Sequence, residues 1–557
     1  MKSLILTIFF INYLYAFDNT QWNKIIHFSN NQPNIISSNF YLSSAKPLTA
    51  KQELNATIAL LQSKNNGYVT ACNYPLRYTF LKSQNLNIPT YNLQHCKQLN
   101  KFFDEFKDNS VYLAYSSEYI SVPSSAFGHI MVLLKNKNAP IEVAKIVHFA
   151  AVTDKKDGFF QYNYKGLTGG YKSYYILDSF FKKIYEYNTK EQRNIYLYKL
   201  DFSKQQLEAI IYNLFELRKA TFKYYFFNKN CASYTSKLLN IAKKEPIKEK
   251  AIYLPIDTLQ EFQSDIIGQK TFLSLVYKLD YLYKKLSQHE KKQFESIIQS
   301  NSTVDDNNLS NNLKVMLIDY YQFQFRKFHI SYKNYNNIMK LHYQTIDIND
   351  TTINPLEKKP SLLKLEYQNS KNDTSVLLTY RPFYSSIYDF SDTNIQENEF
   401  KIFTPEIKLT KNNISLNKLT LLSIKSYAKQ TIYYKPISWQ ISSTFDRHNT
   451  EEKIKFTNQL GAGISKNYFS NISSTTLFNI GIENFTPYIR PELYIAIYIN
   501  KKIRLQENSY INLYYNKKSY FKHDISFSIQ NKNFVYLINY TYDVNYYKIG
   551  AAIKYYF

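Results

Sequence analysis

One cysteine in the first half of the chain has the setting that thiol chemistry needs. Cys231 follows Asn230 and precedes a helical pattern, so we predict it at the N-terminus of a helix with Asn230 as the N-cap. Free N–H groups and the positive end of the helix dipole stabilise a thiolate there, and the thiolate is the nucleophilic form of cysteine. Cys231 is therefore a candidate nucleophile.

A nucleophilic cysteine needs a base, and His129 is the histidine best placed to supply one. It follows a polar turn that contains Ser125 and Gly128, and it stands where an apolar strand is predicted to begin. His148 lies in the next predicted strand, where it can orient the ring of His129. We expect Cys231, His129 and His148 to act as nucleophile, base and orienting group.

The same residues also have a structural interpretation. A single histidine beside a strand is more often part of the packing, and a buried cysteine is usually inert. Metal binding is disfavoured because the chain contains neither an HExxH nor a CxxC spacing, and we expect no metal and no cofactor. Spacing alone leaves catalysis and packing both open.

The elements that position these residues follow a predicted secretory segment. Lys2 precedes an apolar run that begins at Leu4 and ends at Ala16, which is the pattern of a signal peptide over 1–16. The run is too short for a spanning helix, and a retained N-terminal anchor is the alternative interpretation. Export predicts an oxidising compartment, where two of the three cysteines can pair.

The cysteines Cys72 and Cys96 are close in sequence and are the pair we expect to form a disulfide, which leaves Cys231 as the odd thiol. Such a bridge closes a loop of about 25 residues and contributes roughly 3 to 4 kcal/mol in the chain-entropy model.

Three regions follow the secretory segment. Residues 17–256 predict a mixed α/β domain, with a helix at 51–61 and another that begins with the capping-box pattern of Ser203 and Gln206. Residues 257–357 are helical and charged, and we interpret them as a connector. Residues 358–557 alternate apolar and polar positions in segments of about ten, separated by polar turns.

This last region predicts an antiparallel transmembrane β-barrel of about twelve strands in a bacterial outer membrane. The alternative is a soluble β-sandwich, whose strands also alternate, but heavy use of tyrosine favours the membrane. In the final strand one face suits lipid and the other a wet lumen. The lipid face is predicted to carry Tyr547, Ile549, Ala551, Ile553, Tyr555 and Phe557.

The chain has a formal net charge of +25, which fits nucleic acid, anionic lipid or a bacterial envelope surface. Export and the absence of a basic helix face in the sequence disfavour nucleic acid. We therefore expect outer-membrane lipid as a partner and no nucleic acid, while the oligomeric state stays open.

Several segments of the first domain together resemble one known family. They cover roughly residues 20 to 245 in order and are similar to the DUF4105 family, the periplasmic domain of lipoprotein N-acyltransferases of the Lnb type. The segments are 22–42, 72–78, 123–129, 147–151, 165–171, 184–188 with Arg193, and 224–231.

The resemblance implies a circularly permuted papain-like (NlpC/P60-like) α+β fold. It gives Cys231 the role of nucleophile and His129 that of general base and acid, and it matches Cys72 and Cys96 to paired positions. His148 stands where relatives are expected to have asparagine, and either side chain can orient an imidazole.

The remaining matched positions are expected to line the substrate cleft. Gly169 and Gly170 correspond to a GGY element, which we interpret as a close backbone turn near the cleft. Ser125, Gly128 and Asn230 complete the expected lining.

The implied reaction is acyl transfer through a thioester, from a lipoprotein or phospholipid to an amine, by a periplasmic domain held at the outer membrane. The alternatives are a cysteine hydrolase of the envelope (an amidase, peptidase or lipase) and a non-catalytic binding or pore protein.

Overall fold

The computed structural model describes residues 17–557 apart from 119–126, 155, 246–248, 301–305, 328, 345, 347, 349–354, 358, 371–372, 383–385, 388, 390–395, 448–452, 470 and 544–545. The predicted signal peptide therefore lies outside the described residues. The chain divides into two compact units. The first contains the residues up to Ser116, His129–Tyr185 and Tyr196–Lys270, and the second contains Ser117–Gly128, Glu186–Ile195 and Thr271–Phe557.

The first unit begins with a layer of short helices that surrounds a disulfide. Helix α2 starts with a capping box, in which the side chains of Thr49 and Gln52 each accept the other residue's backbone N–H. Cys72 and Cys96 are bonded, with 5.5 Å between their Cα atoms, so the predicted disulfide is confirmed. The elements of this layer are α1, Asn19–Ile25; β1, Phe28–Ser29; β2, Gln32–Pro33; α2, Ala50–Gln62; α3, Gly67–Asn73; α4, Pro75–Ser83; and α5, Lys97–Asp104.

A seven-stranded sheet follows, in the order β8-β6-β5-β4-β3-β7-β9. Its central strand β4 is apolar from Ile130 to Leu134, and these residues are buried because the sheet is covered on both faces. The strands are β3, Asn109–Ser116; β4, His129–Asn136; β5, Lys145–Ala151; β6, Tyr171–Ser179; β7, Ile195–Leu200; β8, Phe222–Tyr224; and β9, Ile266–Phe272. The helices between them are α6, Phe159–Thr168; α7, Phe180–Ile184; α8, Lys204–Leu217; α9, Cys231–Asn240; and α10, Pro255–Glu261.

The first compact unit extends beyond residue 256, where the sequence analysis placed the end of the first domain. Helix α10 belongs to the first unit, where the Thr258 hydroxyl donates to the carbonyl of Ala232 in α9 at 3.0 Å. Strand β9 then adds to the edge of the sheet beside β7. Sequence pattern could not reveal this, because a short helix and an edge strand look the same in a connector as in a domain.

A fully buried ion cluster joins the helical layer to α8. Arg77 lies 2.7 Å from Glu53 (Nη1 to Oε1) and 3.2 Å from Glu216 (Nε to Oε2), and none of the three side chains is exposed. Glu216 also accepts the backbone N–H groups of Leu76 and Arg77. Burial raises the pKa of Glu216 to about 7, against the opposing effect of Arg77 and the two N–H groups. The cluster fixes α2, α4 and α8 to one another.

His27 is a second buried titratable group of this unit. Its ring meets the rings of Phe40 and Phe222 edge-on, at 6.2 and 5.8 Å between centroids. Burial lowers the pKa of His27 to about 3, with Lys237 adding to the effect and a hydrogen bond to Asn213 opposing it. The folded chain therefore holds this imidazole neutral throughout the ordinary pH range.

The low pKa of His27 makes the unfolding free energy depend on pH, and a substitution of this residue can isolate its contribution. Below pH 6.5 only the unfolded chain protonates His27, so its contribution to stability falls as the pH drops towards the folded pKa of about 3. Relative to His27→Gln, the wild type should lose about 3 kcal/mol of unfolding free energy between pH 6.5 and 4, at about 1.4 kcal/mol per pKa unit. Glu216 contributes to the pH dependence with the opposite sign, because its raised pKa makes the folded chain more stable as the pH falls. This contribution is the same in both proteins and cancels when their unfolding free energies are subtracted.

Denaturant unfolding of the full chain in detergent measures this difference. The chain has two tryptophans, and a Trp439→Phe background leaves buried Trp22 as the reporter of the first unit. A difference between the two proteins that stays constant with pH would contradict the prediction.

The second unit contains four helices and the barrel. An apolar cluster formed by α11, α12, α13 and α14 includes Tyr433 from a turn of the barrel, whose hydroxyl donates to Asp280 at 2.9 Å. The helices are α11, Leu275–Lys285; α12, Gln288–Ser300; α13, Asn311–Arg326; and α14, Tyr332–Met339. No helix among the described residues is both long and apolar enough to cross a membrane.

Twelve antiparallel strands of the described chain close into a barrel, because β10 pairs with both β11 and β21. The predicted count of about twelve is confirmed. The strands are β10, Leu362–Ser370; β11, Asp373–Arg381; β12, Gln396–Leu409; β13, Ile414–Gln430; β14, Ser438–Asp446; β15, Lys455–Phe469; β16, Ile472–Glu483; β17, Thr486–Asn500; β18, Ile503–Tyr514; β19, Tyr520–Asn531; β20, Phe534–Asp543; and β21, Tyr546–Tyr556.

The two faces of the final strand are those predicted. From Tyr547 to Phe557 every second residue is exposed on the outside, while Gly550, Ala552 and Lys554 are buried inside. The outer residues are apolar or aromatic and the barrel interior is polar, which is the pattern of a barrel in lipid. The closed ladder pairs the strand backbones as a membrane requires, so the soluble sandwich is excluded.

Candidate functional site

Cys231 is the first residue of α9, as the sequence predicts. The side chain of Asn230 caps this helix by accepting the N–H groups of Ala232 and Ser233, at 3.0 and 3.2 Å. The Asn230 amide also donates to the carbonyls of Phe226 and Tyr253, at 2.9 and 2.8 Å. These bonds occupy both ends of its side chain, so Asn230 positions the start of the helix.

The helix packs on the strand that carries His129. The Thr235 hydroxyl, one turn along α9 from Cys231, bonds the carbonyl of Ile130 at 3.4 Å. His129 is the first residue of β4 and directly precedes Ile130, so it lies next to this contact between the strand and α9. That His129 and Cys231 act together stays a prediction.

His148 lies beside His129 on the neighbouring strand. The two rings meet edge-on with 6.1 Å between their centroids. Burial lowers the pKa of His148 to about 4, with Lys183 adding to the effect and Asp178 opposing it. The ring is therefore neutral at neutral pH, and a neutral imidazole next to His129 can act only as a polar or packing neighbour.

Tyr224 is a site residue that the sequence analysis missed. Its hydroxyl is hydrogen-bonded to the side chain and to the backbone N–H of Cys231, and burial raises the pKa of Tyr224 well above its ordinary value. The phenol therefore stays protonated and can donate to sulfur or to an oxygen formed next to it.

The chain reverses between these two residues, which explains how they meet. Tyr225 donates its N–H to the carbonyl of Lys229 at 3.0 Å, so the loop after β8 returns to the start of α9. The sequence signal was the motif 224–231 itself, which begins at Tyr224 and ends at Cys231. Its hairpin-like closure was not predicted because the loop contains no glycine.

The predicted turn at Gly169 is confirmed, with a packing reason for each nearby glycine. Gly169 caps the C-terminus of α6 at φ 78°, and a Cβ there would lie 2.3 Å from the ring of Tyr225. A Cβ on Gly166 would lie 2.2 Å from the ring of Phe226, and a Cβ on Gly170 would lie 3.0 Å from the side chain of Lys165. These glycines let the aromatic loop before Cys231 approach α6 closely.

Two further predicted cleft residues are in the loop before His129. Gly128 has φ 87°, a conformation that glycine adopts without strain. Ser125 lies outside the described residues. Contact of Gly128, Gly169, Gly170 or Asn230 with a substrate stays a prediction. Among the described residues, no cluster of three or more histidine, cysteine or acidic side chains could hold a metal ion.

The closed barrel with its apolar outer face defines the chain as an outer-membrane β-barrel protein with an α/β unit ahead of the barrel. Residues 98–265 match the family model of the Lnb N-terminal periplasmic domain. Residues 17–84 and 358–532 match two domains of unknown function, DUF7843 and DUF7840. The barrel lies in the outer membrane and the N-terminal domain in the periplasm.

Several solved outer-membrane barrels are similar to part of the chain, whereas no curated protein matches it. The KdgM porin has 8% identity and a TM-score of 0.25 over 35% of this chain and 99% of that one. The COG4313 outer membrane channel from Pseudomonas putida F1 has 9% identity and a TM-score of 0.26 over 38% and 100%. The barrel assignment rests on this chain's own strand pairing.

Proposed function

We propose that the first unit is a cysteine-dependent acyltransferase that acts on envelope lipoproteins. The observation that carries the proposal is the position of Cys231, which lies at the N-terminus of α9 beside the Tyr224 hydroxyl, in a helix that packs on the strand beginning at His129. A helix N-terminus stabilises a thiolate, and a neighbouring imidazole can remove the thiol proton.

The chemistry proceeds in two transfers. His129 takes the proton from Cys231, and the thiolate attacks the ester carbonyl of the acyl donor. The leaving alkoxide takes that proton from His129, which leaves an acyl thioester on Cys231. An amine then attacks the thioester carbonyl, passes its proton to His129, and releases the thiolate as an amide forms.

The tetrahedral intermediates of both transfers carry a negative oxygen. The donor that stands beside the sulfur to stabilise it is the hydroxyl of Tyr224, whose oxygen accepts the backbone N–H of Cys231. In this mechanism neutral His148 packs beside the ring of His129 and takes no proton itself.

The match to the Lnb N-terminal periplasmic domain favours an amine acceptor over water. On this proposal the unit has the DUF4105-type, permuted papain-like fold, and the acyl chain passes from a lipoprotein or phospholipid to the N-terminal cysteine amine of a lipoprotein. An outer-membrane barrel keeps the enzyme at the membrane where both substrates lie.

The lipid state of lipoproteins tests the choice of reaction. Mass spectrometry of N-terminal lipopeptides should find amide-linked acyl chains in cells that carry this protein and their loss, with a free amine, in cells that lack it. Unchanged lipopeptides in the deletion strain would contradict the transferase and favour the hydrolase or the non-catalytic binding protein.

A further inference from the structure

The interior of the barrel holds a short piece of chain from the connection between β11 and β12. Leu362 at the start of β10 pairs with Arg381 at the end of β11 and with Tyr556 at the end of β21. The connection that follows Arg381 is therefore at the same end of the barrel as the start of β10. Because β10 follows the periplasmic part of the chain, this end is the periplasmic one. The described residues of the piece are Ser386, Ile387 and Asp389, and we call them the inner segment.

Polar bonds hold the inner segment to the strands on its own side. Asp389 accepts from the Arg381 guanidinium at 2.6 Å and from the Tyr556 hydroxyl at 2.7 Å. The Ser386 hydroxyl donates to Glu399 of β12 at 2.8 Å. These contacts fix the segment to β11, β12 and β21.

Ile387 reaches the opposite wall. Its carbonyl accepts from the Tyr494 hydroxyl of β17 at 3.2 Å and from the Gln506 amide of β18 at 3.0 Å. Strand β17 is six places from β11 in a ring of twelve, so the described residues of the segment link side chains from opposite walls of the barrel. The Ile387 side chain is 2% exposed and packs with Tyr427, Leu477, Tyr494 and Ala496.

Side chains of the barrel strands also line a polar cavity of about 210 Å³. Its lining includes Lys418, Asp446 and Lys522, which lie towards the far ends of their strands, away from the periplasm. Glu399 lines the cavity and also accepts a hydrogen bond from Ser386, so the inner segment lies beside the cavity, on its periplasmic side. An apolar, water-excluding contact at this place in the lumen opposes ion passage.

We propose that the inner segment closes the lumen on the periplasmic side, so that the barrel anchors the chain in the membrane without acting as a channel. The interior of an eight-stranded barrel can be filled by side chains alone, whereas a barrel of sixteen strands leaves an aqueous channel. A barrel of twelve strands lies between these sizes, so its lumen is wide enough to need such a closure. The proposal is independent of the chemistry at Cys231.

Planar-bilayer recording of the full chain tests the closure. The wild type should show no discrete current steps, whereas Ile387→Gly/Asp389→Ala, which loses the packing and the tethers to Arg381 and Tyr556, should gain them. The control Ile482→Gly/Asp524→Ala makes the same changes outside the segment and should stay silent. Heat-modifiable migration in gels checks that each barrel is folded.

Two results would overturn the closure. One is discrete current steps in the wild type, and the other is a folded double variant that remains silent. If the double variant does not fold, Asp389→Asn takes its place, because it keeps the side-chain shape while weakening the attraction to Arg381.

Discussion

Replacing Cys231 with alanine is expected to abolish formation of an acyl-enzyme and to lower turnover by at least about 10⁴-fold, the scale seen when a covalent nucleophile is removed. The thiol is buried and begins a capped helix, and alanine is tolerated at that position, so the fold should survive. Intact-mass measurement after exposure to diacyl phospholipid or lipopeptide should find one acyl chain on the wild type and none on the variant. An adduct that persists on Cys231→Ala would remove Cys231 from the mechanism.

A matched pair of histidine variants separates catalysis from general damage. His129→Asn should lose the acyl-enzyme because no other group at this end of β4 is expected to take the thiol proton. His95→Asn changes an exposed histidine of the same unit and should leave the acyl-enzyme unchanged. Equal losses in the two variants would argue against a specific role for His129.

The parts of this site that sequence predicted are those set by local rules. The Asn230 cap, the start of α9 and the start of β4 follow from residue type and periodicity within about ten positions. The twelve strands follow for the same reason, since the side-chain period of two is maintained through each of them.

The parts that sequence did not predict depend on contacts between distant elements. Tyr224 meets Cys231 because a loop without glycine reverses the chain, and this loop packs against Gly166 and Gly169. The inner segment of the barrel was also missed. Its three described residues carry no periodicity, and the carbonyl of Ile387 is held by side chains of the opposite wall, which are distant in sequence.

The largest expected loss of stability comes from replacing Arg77. This residue lies in segment 72–78 of the family resemblance, but its partners could be identified only from the structure. Arg77→Met should lower the unfolding free energy of the first unit by about 3 to 5 kcal/mol, because it leaves a buried charge without its partner. Glu53 and Glu216 would both lose the guanidinium, and Phe40 and Tyr74 would lose the cation stacked on their rings at 4.4 and 4.5 Å.

Three variants distinguish lost charge pairing from lost packing. Arg218→Met removes an exposed arginine that stacks on Phe215, and it should cost about 1 kcal/mol or less. Adding Glu53→Gln and Glu216→Gln to Arg77→Met should recover part of the loss, since neutral amides are cheaper to bury than carboxylates. Denaturant unfolding reported by Trp22 in the Trp439→Phe background measures all of them. If the two glutamine substitutions restore none of the unfolding free energy, the loss in Arg77→Met comes from packing. The cluster would then hold α2, α4 and α8 together by the fit of its side chains and not by their charges.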